Sequence, residues 1–205
     1  YGFDPDFRLQ EKLVEQRREG TVVDTLLLVE HPPVYTLGRN ADTGYLTASP
    51  QQLEAWNIEV VRTTRGGQIT YHGPGQLVGY PILHLGERGK GPVWYVNQLE
   101  EALIRLLGTY GLTGSRDPRN RGVWLGDDKV AAIGVRIARH ITMHGFALNV
   151  RTNLDHYRGI VPCGIADRGV TSMHCRVPEV TMAEVKARLT RAFADVFDYD
   201  IEENI

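Results

Sequence analysis

Cysteine is scarce in this chain. Two cysteines, Cys163 and Cys175, occur among 205 residues, too few for a disulfide-stapled scaffold of this size. Charge of one sign is lacking as well: 23 Lys and Arg stand against 25 Asp and Glu, a formal net charge of -2 with a pI near 6.4. Nucleic-acid binders carry a basic excess, so nucleic acid is not expected as a partner. Long apolar runs are missing too. The longest near the start, residues 26–29, is far shorter than a bilayer-crossing helix, and no segment reads as a signal peptide. Cytoplasm is the expected location. Seven histidines are present, yet no CxxC and no HxxxH with a glutamate occurs, so no metal site is expected. The phosphate-loop pattern GxxxxGK[ST] and the dinucleotide pattern GxGxxG are absent also.

What is there suits one globular domain, with 42% hydrophobic and 23% charged residues. The patterning predicts a surface helix over residues 4–18, ended by Gly20, and a buried strand over 25–29. HPPVYTLGRN reads as a loop with a short extended piece. Ser49-Pro50 opens a short helix through Trp56, and a strand follows over 58–62. Residues 77–85 read as a strand with its proline near an edge or bulge. Leucines at helical spacing predict an amphipathic helix over 96–110. Strands are expected over 122–125, 129–138 and 141–150, the first two joined by a Gly126-Asp127-Asp128 turn. Thr181-Met182-Ala183-Glu184 has the pattern of a capping box. Strands and helices do not alternate strictly. The expected class is therefore α+β, a mixed sheet sandwich with helices packed outside. The expected domain spans residues 1–205, with a small C-terminal lobe from about Pro178.

Three features point to chemistry. The stretch RGGQITYHGPGQLVGYP, residues 65–81, holds five glycines and two prolines. Such a run means that the backbone turns tightly or approaches something closely. Glycine N–H groups can cradle an oxyanion or a pantetheine phosphate. A hairpin turn explains the glycines equally well, but not the company of Arg65, Thr70, His72 and Gln76. Cys163 sits in IVPCGIAD, where Pro162 and Gly164 hold its thiol on a bend; a packed thiol and a nucleophile both remain open. Lys129 opens the apolar run KVAAIGVR. It is either an exposed turn residue or a cation drawn over a pocket, where it would stabilise a thiolate.

HPPVYTLGR, RGGQITYHGPGQLVGYP, KVAAIGVR, HGFALN and IVPCGI occur in that order between His31 and Thr171. Together these blocks resemble the octanoyltransferases of lipoate biosynthesis. The resemblance implies a fold shared with the catalytic modules of biotin–protein and lipoate–protein ligases. It implies transfer of an octanoyl group from octanoyl-acyl carrier protein to a lysine ε-amine on lipoyl domains. The acceptors would be 2-oxoacid dehydrogenases and the glycine-cleavage H protein. It implies no cofactor, and nothing demands more than a monomer. Cys163 would carry the acyl thioester. Lys129 would lower the cysteine's pKa and accept a proton. Arg65, Gly66, Gly67, Gln68, Ile69, Thr70, Tyr71 and His72 would form one wall of the acyl and pantetheine site, with His72 orienting the thioester or stabilising the oxyanion. Ala132, Ile133, Gly134, Gly145, Phe146 and Ala147 would contact the acyl chain. Tyr80 and Leu77 are further lining residues, or core. His144 is either near the site or structural, and Cys175 receives no role.

Two rival readings stay open. An ATP-dependent lipoate– or octanoate–protein ligase on the same fold would also use a site lysine, but needs no cysteine nucleophile. A non-catalytic binder of acylated carrier domains would need neither.

Overall fold

Helix starts follow the local chemistry closely. Ser49 accepts from the Gln52 backbone N–H while the Gln52 side chain accepts from the Ser49 N–H, a complete capping box that opens α2 (Pro50–Ala55). At Thr181 only half of the expected box forms. Its hydroxyl accepts from the Glu184 N–H at 3.3 Å, but donates to the Glu184 carboxylate at 2.8 Å. The carboxylate is thereby occupied by the hydroxyl instead of the backbone. The helices are α1 (Pro5–Arg18), α2, α3 (Pro92–Gly108) and α4 (Met182–Phe197). The computed structural model describes residues 5–161 and 168–202.

Among the described residues nine strands form two sheets. The strands are β1 (Thr25–Val29), β2 (Val34–Leu37), β3 (Glu59–Arg62), β4 (Ile69–His72), β5 (Gln76–Ile82), β6 (Ser115–Asp117), β7 (Asn120–Leu125), β8 (Asp128–Ala138) and β9 (Ile141–Asn149). The larger sheet is antiparallel, in the order β1-β5-β9-β8-β7-β6; the smaller has the order β3-β2-β4, with β2 and β3 parallel. The expected α+β sandwich with outer helices is what the chain adopts. α3 and α4 pack on one face of the large sheet, in a core that includes Leu77, Leu99, Leu103, Val123, Leu148, Leu189 and Phe193. The helix after Pro178 therefore shares the main core. A second core, with Tyr35, Ile58, Ile69 and Tyr71, lies on the small sheet.

The short extended piece expected in HPPVYTLGRN is β2, at the centre of the small sheet, and its prolines end before Val34. Two expectations need correction. The glycine-rich stretch holds β4, which leads into β5 of the other sheet, so its Gly73-Pro74-Gly75 turn is a corner between sheets and not a hairpin. Pro81 lies opposite Leu26 in a central strand instead of at an edge. It is tolerated because the β5–β9 ladder stops at the Gly79–Phe146 pair, so no partner there requires its missing N–H.

Candidate active site

A cavity of about 790 Å³ lies between the two sheets, large enough for a small-molecule ligand. The period-2 alternation of strands builds its walls. In β2, Val34 and Thr36 face the cavity while Tyr35 and Leu37 pack into the small core. In β5, Val78 and Tyr80 face it while Leu77 enters the main core. Ala132, Ile133 and Gly134 of β8 and Gly145, Phe146 and Ala147 of β9 form the opposite wall. Phe7 and Gln10 of α1 close one side.

The glycine-rich loop is laid directly on β8. The Gly66 N–H donates to the Val135 carbonyl at 3.0 Å, and a Cβ on Gly134 would sit 3.0 Å from the Gly66 oxygen. Gly67 has φ +86, a backbone state that favours glycine. Arg65 is only 8% exposed. It donates to the Thr36 hydroxyl at 2.9 and 3.2 Å and to the Gly66 carbonyl at 3.0 Å. Its guanidinium thus pins the loop to β2 while lining the cavity.

The sequence reading placed sixteen residues around the substrate. The structure brings Arg65, Gly67, Gln68, Ile69, Thr70, His72, Tyr80 and the six residues of β8 and β9 to the cavity. It does not bring Gly66, Tyr71 or Leu77 there. Gly66 is the loop's docking point. The Tyr71 hydroxyl lies 2.8 Å from His156 Nδ1 in the small core, and Leu77 is fully buried in the main one. Residues missed were His31, Gln10 and Thr36. His31 sits in the HPP block, and its Nε2 lies 2.6 Å from the Tyr80 hydroxyl. Gln10 looks like a surface helix residue, but its amide oxygen accepts from the His144 N–H. That N–H is available because His144 has φ +58 in the middle of β9, a strained state for a non-glycine residue.

Lys129 stands at the head of β8, three residues before the wall residue Ala132, roughly 10 Å along the strand. It is 8% exposed, so the exposed-turn reading does not hold. A β-bulge at Val123/Trp124 sets Lys129 opposite Trp124. Gly122, at φ +132, leaves room for the lysine stem; a Cβ there would lie 3.4 Å from Lys129 Cε. The backbone of Lys129 holds the chain that returns after residue 167: its N–H donates to the Gly169 carbonyl and its carbonyl accepts from the Thr171 N–H, both at 3.0 Å. Cys163 lies outside the described residues.

A family model described as the lipoyl protein ligase A/B catalytic domain matches residues 4–194. An octanoyltransferase of Alkaliphilus metalliredigens is 46% identical over 205 residues, covering 99% of this chain and 94% of that protein. One from Solibacter usitatus is 49% identical over 193 residues, covering 94% and 87%. The chain belongs to the octanoyltransferase family. A bipartite lipoate protein ligase from Thermoplasma acidophilum shares the fold, with a TM-score of 0.73 at 17% identity, covering 96% of this chain and 82% of that one.

The charge state of this octanoyltransferase's cavity is set by burial. His72 is held down to about 3, first by desolvation and then by the nearby His31 and Arg65. His144 is lowered to about 4 by desolvation, then by Arg65 and Arg136. Both rings are neutral at ordinary pH. Among the described residues no group of three or more His, Cys, Asp and Glu could hold a metal ion. No described helix is long and apolar enough to cross a membrane.

Proposed function

We propose that this chain moves an octanoyl group from octanoyl-acyl carrier protein to the ε-amine of a lysine on a lipoyl domain, through a thioester on Cys163. The observation that carries this reading is the placement of Lys129. Its strand runs into the wall of an apolar-lined cavity, and its backbone holds the return of the segment that includes Cys163.

In the first step the Cys163 thiolate, paired with the Lys129 ammonium, attacks the thioester carbonyl. A carbon–sulfur bond to Cys163 forms and the bond to the carrier's pantetheine sulfur breaks. The Lys129 ammonium gives its proton to the departing thiolate. Exchange of one thioester for another is near-isoenergetic and needs no ATP. In the second step the acceptor amine attacks the acyl-cysteine. The carbon–nitrogen bond forms, Cys163 leaves as thiolate, and neutral Lys129 takes the amine's proton. The ion pair is restored. Amide formation from a thioester runs downhill. The small residues Ala132, Gly134, Gly145 and Ala147 leave room for a linear chain.

The acceptors are lipoyl domains of 2-oxoacid dehydrogenases and the glycine-cleavage H protein. The enzyme works as a cytoplasmic monomer without a cofactor. The test is modification of a purified lipoyl domain. Transfer from octanoyl-acyl carrier protein without ATP is expected. A requirement for ATP and free octanoate would replace this reading with the ligase.

A further inference from the structure

A chain of amides next to the cavity fixes which ring nitrogen of His72 carries the proton. Asn149 Nδ2 donates to the Thr171 carbonyl at 3.0 Å, so its Oδ1 is turned toward Gln76. Gln76 Nε2 donates to that Oδ1 at 2.9 Å and to the Tyr71 carbonyl at 3.0 Å. Flipping either amide would set oxygen against a backbone carbonyl, which accepts and never donates. Gln76 Oε1 therefore faces His72 Nδ1, at 2.7 Å. Nδ1 must donate, and in a neutral ring Nε2 is then a bare acceptor. His72 lines the cavity, and its Nε2 makes no hydrogen bond among the described residues.

A bare acceptor has no N–H to offer an oxyanion. It needs a donor from the substrate. We infer that His72 Nε2 accepts a hydrogen bond from the attacking lysine amine, and that Gln76 and Asn149 are positioning residues that hold it to that task. The inference rests on the transferase reading above.

The attacking nitrogen supplies the donor that gains most. It is a neutral amine at the start and carries positive charge once the carbon–nitrogen bond forms. A hydrogen bond from it strengthens along the reaction, which is what lowers a barrier. His72 takes no proton; that goes to Lys129. A cationic ring would repel the acceptor lysine, and burial beside Arg65 keeps this one neutral. The network also bonds to the chain on both sides of residues 162–167: the Tyr157 hydroxyl donates to Asn149 Oδ1 at 3.2 Å, and the Thr171 carbonyl accepts from Asn149 Nδ2.

The experiment is single-turnover quench flow that separates acylation by octanoyl-acyl carrier protein from discharge to a lipoyl domain. It compares wild type with His72→Asn, which keeps a donor for Gln76 but loses the acceptor, and with His72→Gln, whose amide oxygen reaches the Nε2 position. Acylation should stay within about threefold, while discharge falls on the order of 100-fold in His72→Asn and partly recovers in His72→Gln. Slowing of acylation alone, or of both steps equally, would overturn the inference and point to a contact with the donor's pantetheine arm or to a purely structural ring. Nitrogen-15 shifts of the His72 ring give a second readout, with Nδ1 protonated and Nε2 bare from about pH 5 to about pH 8. The opposite tautomer overturns it. A wild type that forms no acyl-enzyme fails at the earlier step, and takes the transferase reading down with the inference.

Discussion

The Lys129 ammonium lies 4.9 Å from the centre of the Trp124 ring and donates to the Arg121 carbonyl at 3.1 Å. The guanidinium of Arg168 lies 4.7 Å from the same ring and 2.7 Å from Asp117. A cation over an indole is held by about 0.5–2 kcal/mol. Trp124 thus holds the lysine at the head of β8 together with the first described residue after the segment that includes Cys163.

In the proposed mechanism Lys129 is the cation that stabilises the Cys163 thiolate, and Lys129→Met removes it. The Cys163 thiol should then rise by about one unit or more toward its free value. The pH profile of alkylation by iodoacetamide, read by mass on Cys163, checks this. Acyl transfer should fall by about 100-fold or more. Trp124→Leu should give a smaller loss in the same direction.

On the proposed reading the acyl chain lies along the wall that β8 and β9 share, so filling that wall should shorten the chain accepted. Ala132→Leu adds three carbons to the cavity. Each methylene of acyl chain is worth about 0.8 kcal/mol when buried. Octanoyl transfer should drop by roughly 10-fold or more, while a chain shorter by two or three carbons is retained. A competition assay with carrier-bound acyl groups of graded length measures the shift.

Acid should destabilise the fold in a defined window. His72 and His144 have folded pKa values near 3 and 4, below the ordinary histidine value near 6.5. The unfolded chain therefore binds more protons as pH falls through about 6.5, and stability drops until the folded rings protonate near 3 to 4. Each ring contributes a slope of up to about 1.4 kcal/mol per pH unit there. Urea melts between about pH 7 and about pH 4 should show the loss, and His144→Gln should reduce the slope by about half.

Arg65→Met leaves the Thr36 hydroxyl and the Gly66 carbonyl without the donor that Arg65 supplies. A cost of about 2–3 kcal/mol is expected, which lowers the melting temperature by roughly 4–10 °C. Loss of its charge should also raise the His72 pKa, visible in the ring's nitrogen shifts.

Much of this architecture was legible because the local signals agree. The apolar spacing of Leu99, Leu103 and Leu106 gave α3, and the long apolar run around Phe146 and Leu148 gave β9. The missed strands lack that agreement. β6 is Ser-Arg-Asp, with no apolar alternation to read. β4 is four residues between glycines, so its turn signals hid it. Lys129 betrayed itself as a charge at the head of an apolar strand. Alternation along β4 would have separated His72 from Tyr71, since neighbours in a strand face opposite sides. Gln10 carried no signal at all: its place at His144 depends on how α1 lies across the sheet, which no local pattern encodes.

The most direct measurement is the intact mass of the protein after mixing with octanoyl-acyl carrier protein, without ATP, beside Cys163→Ala. One octanoyl adduct should appear on the wild type, be absent from the variant, and be discharged by a lipoyl domain. Unmodified protein, or an adduct that persists in Cys163→Ala, would contradict a cysteine-borne transfer.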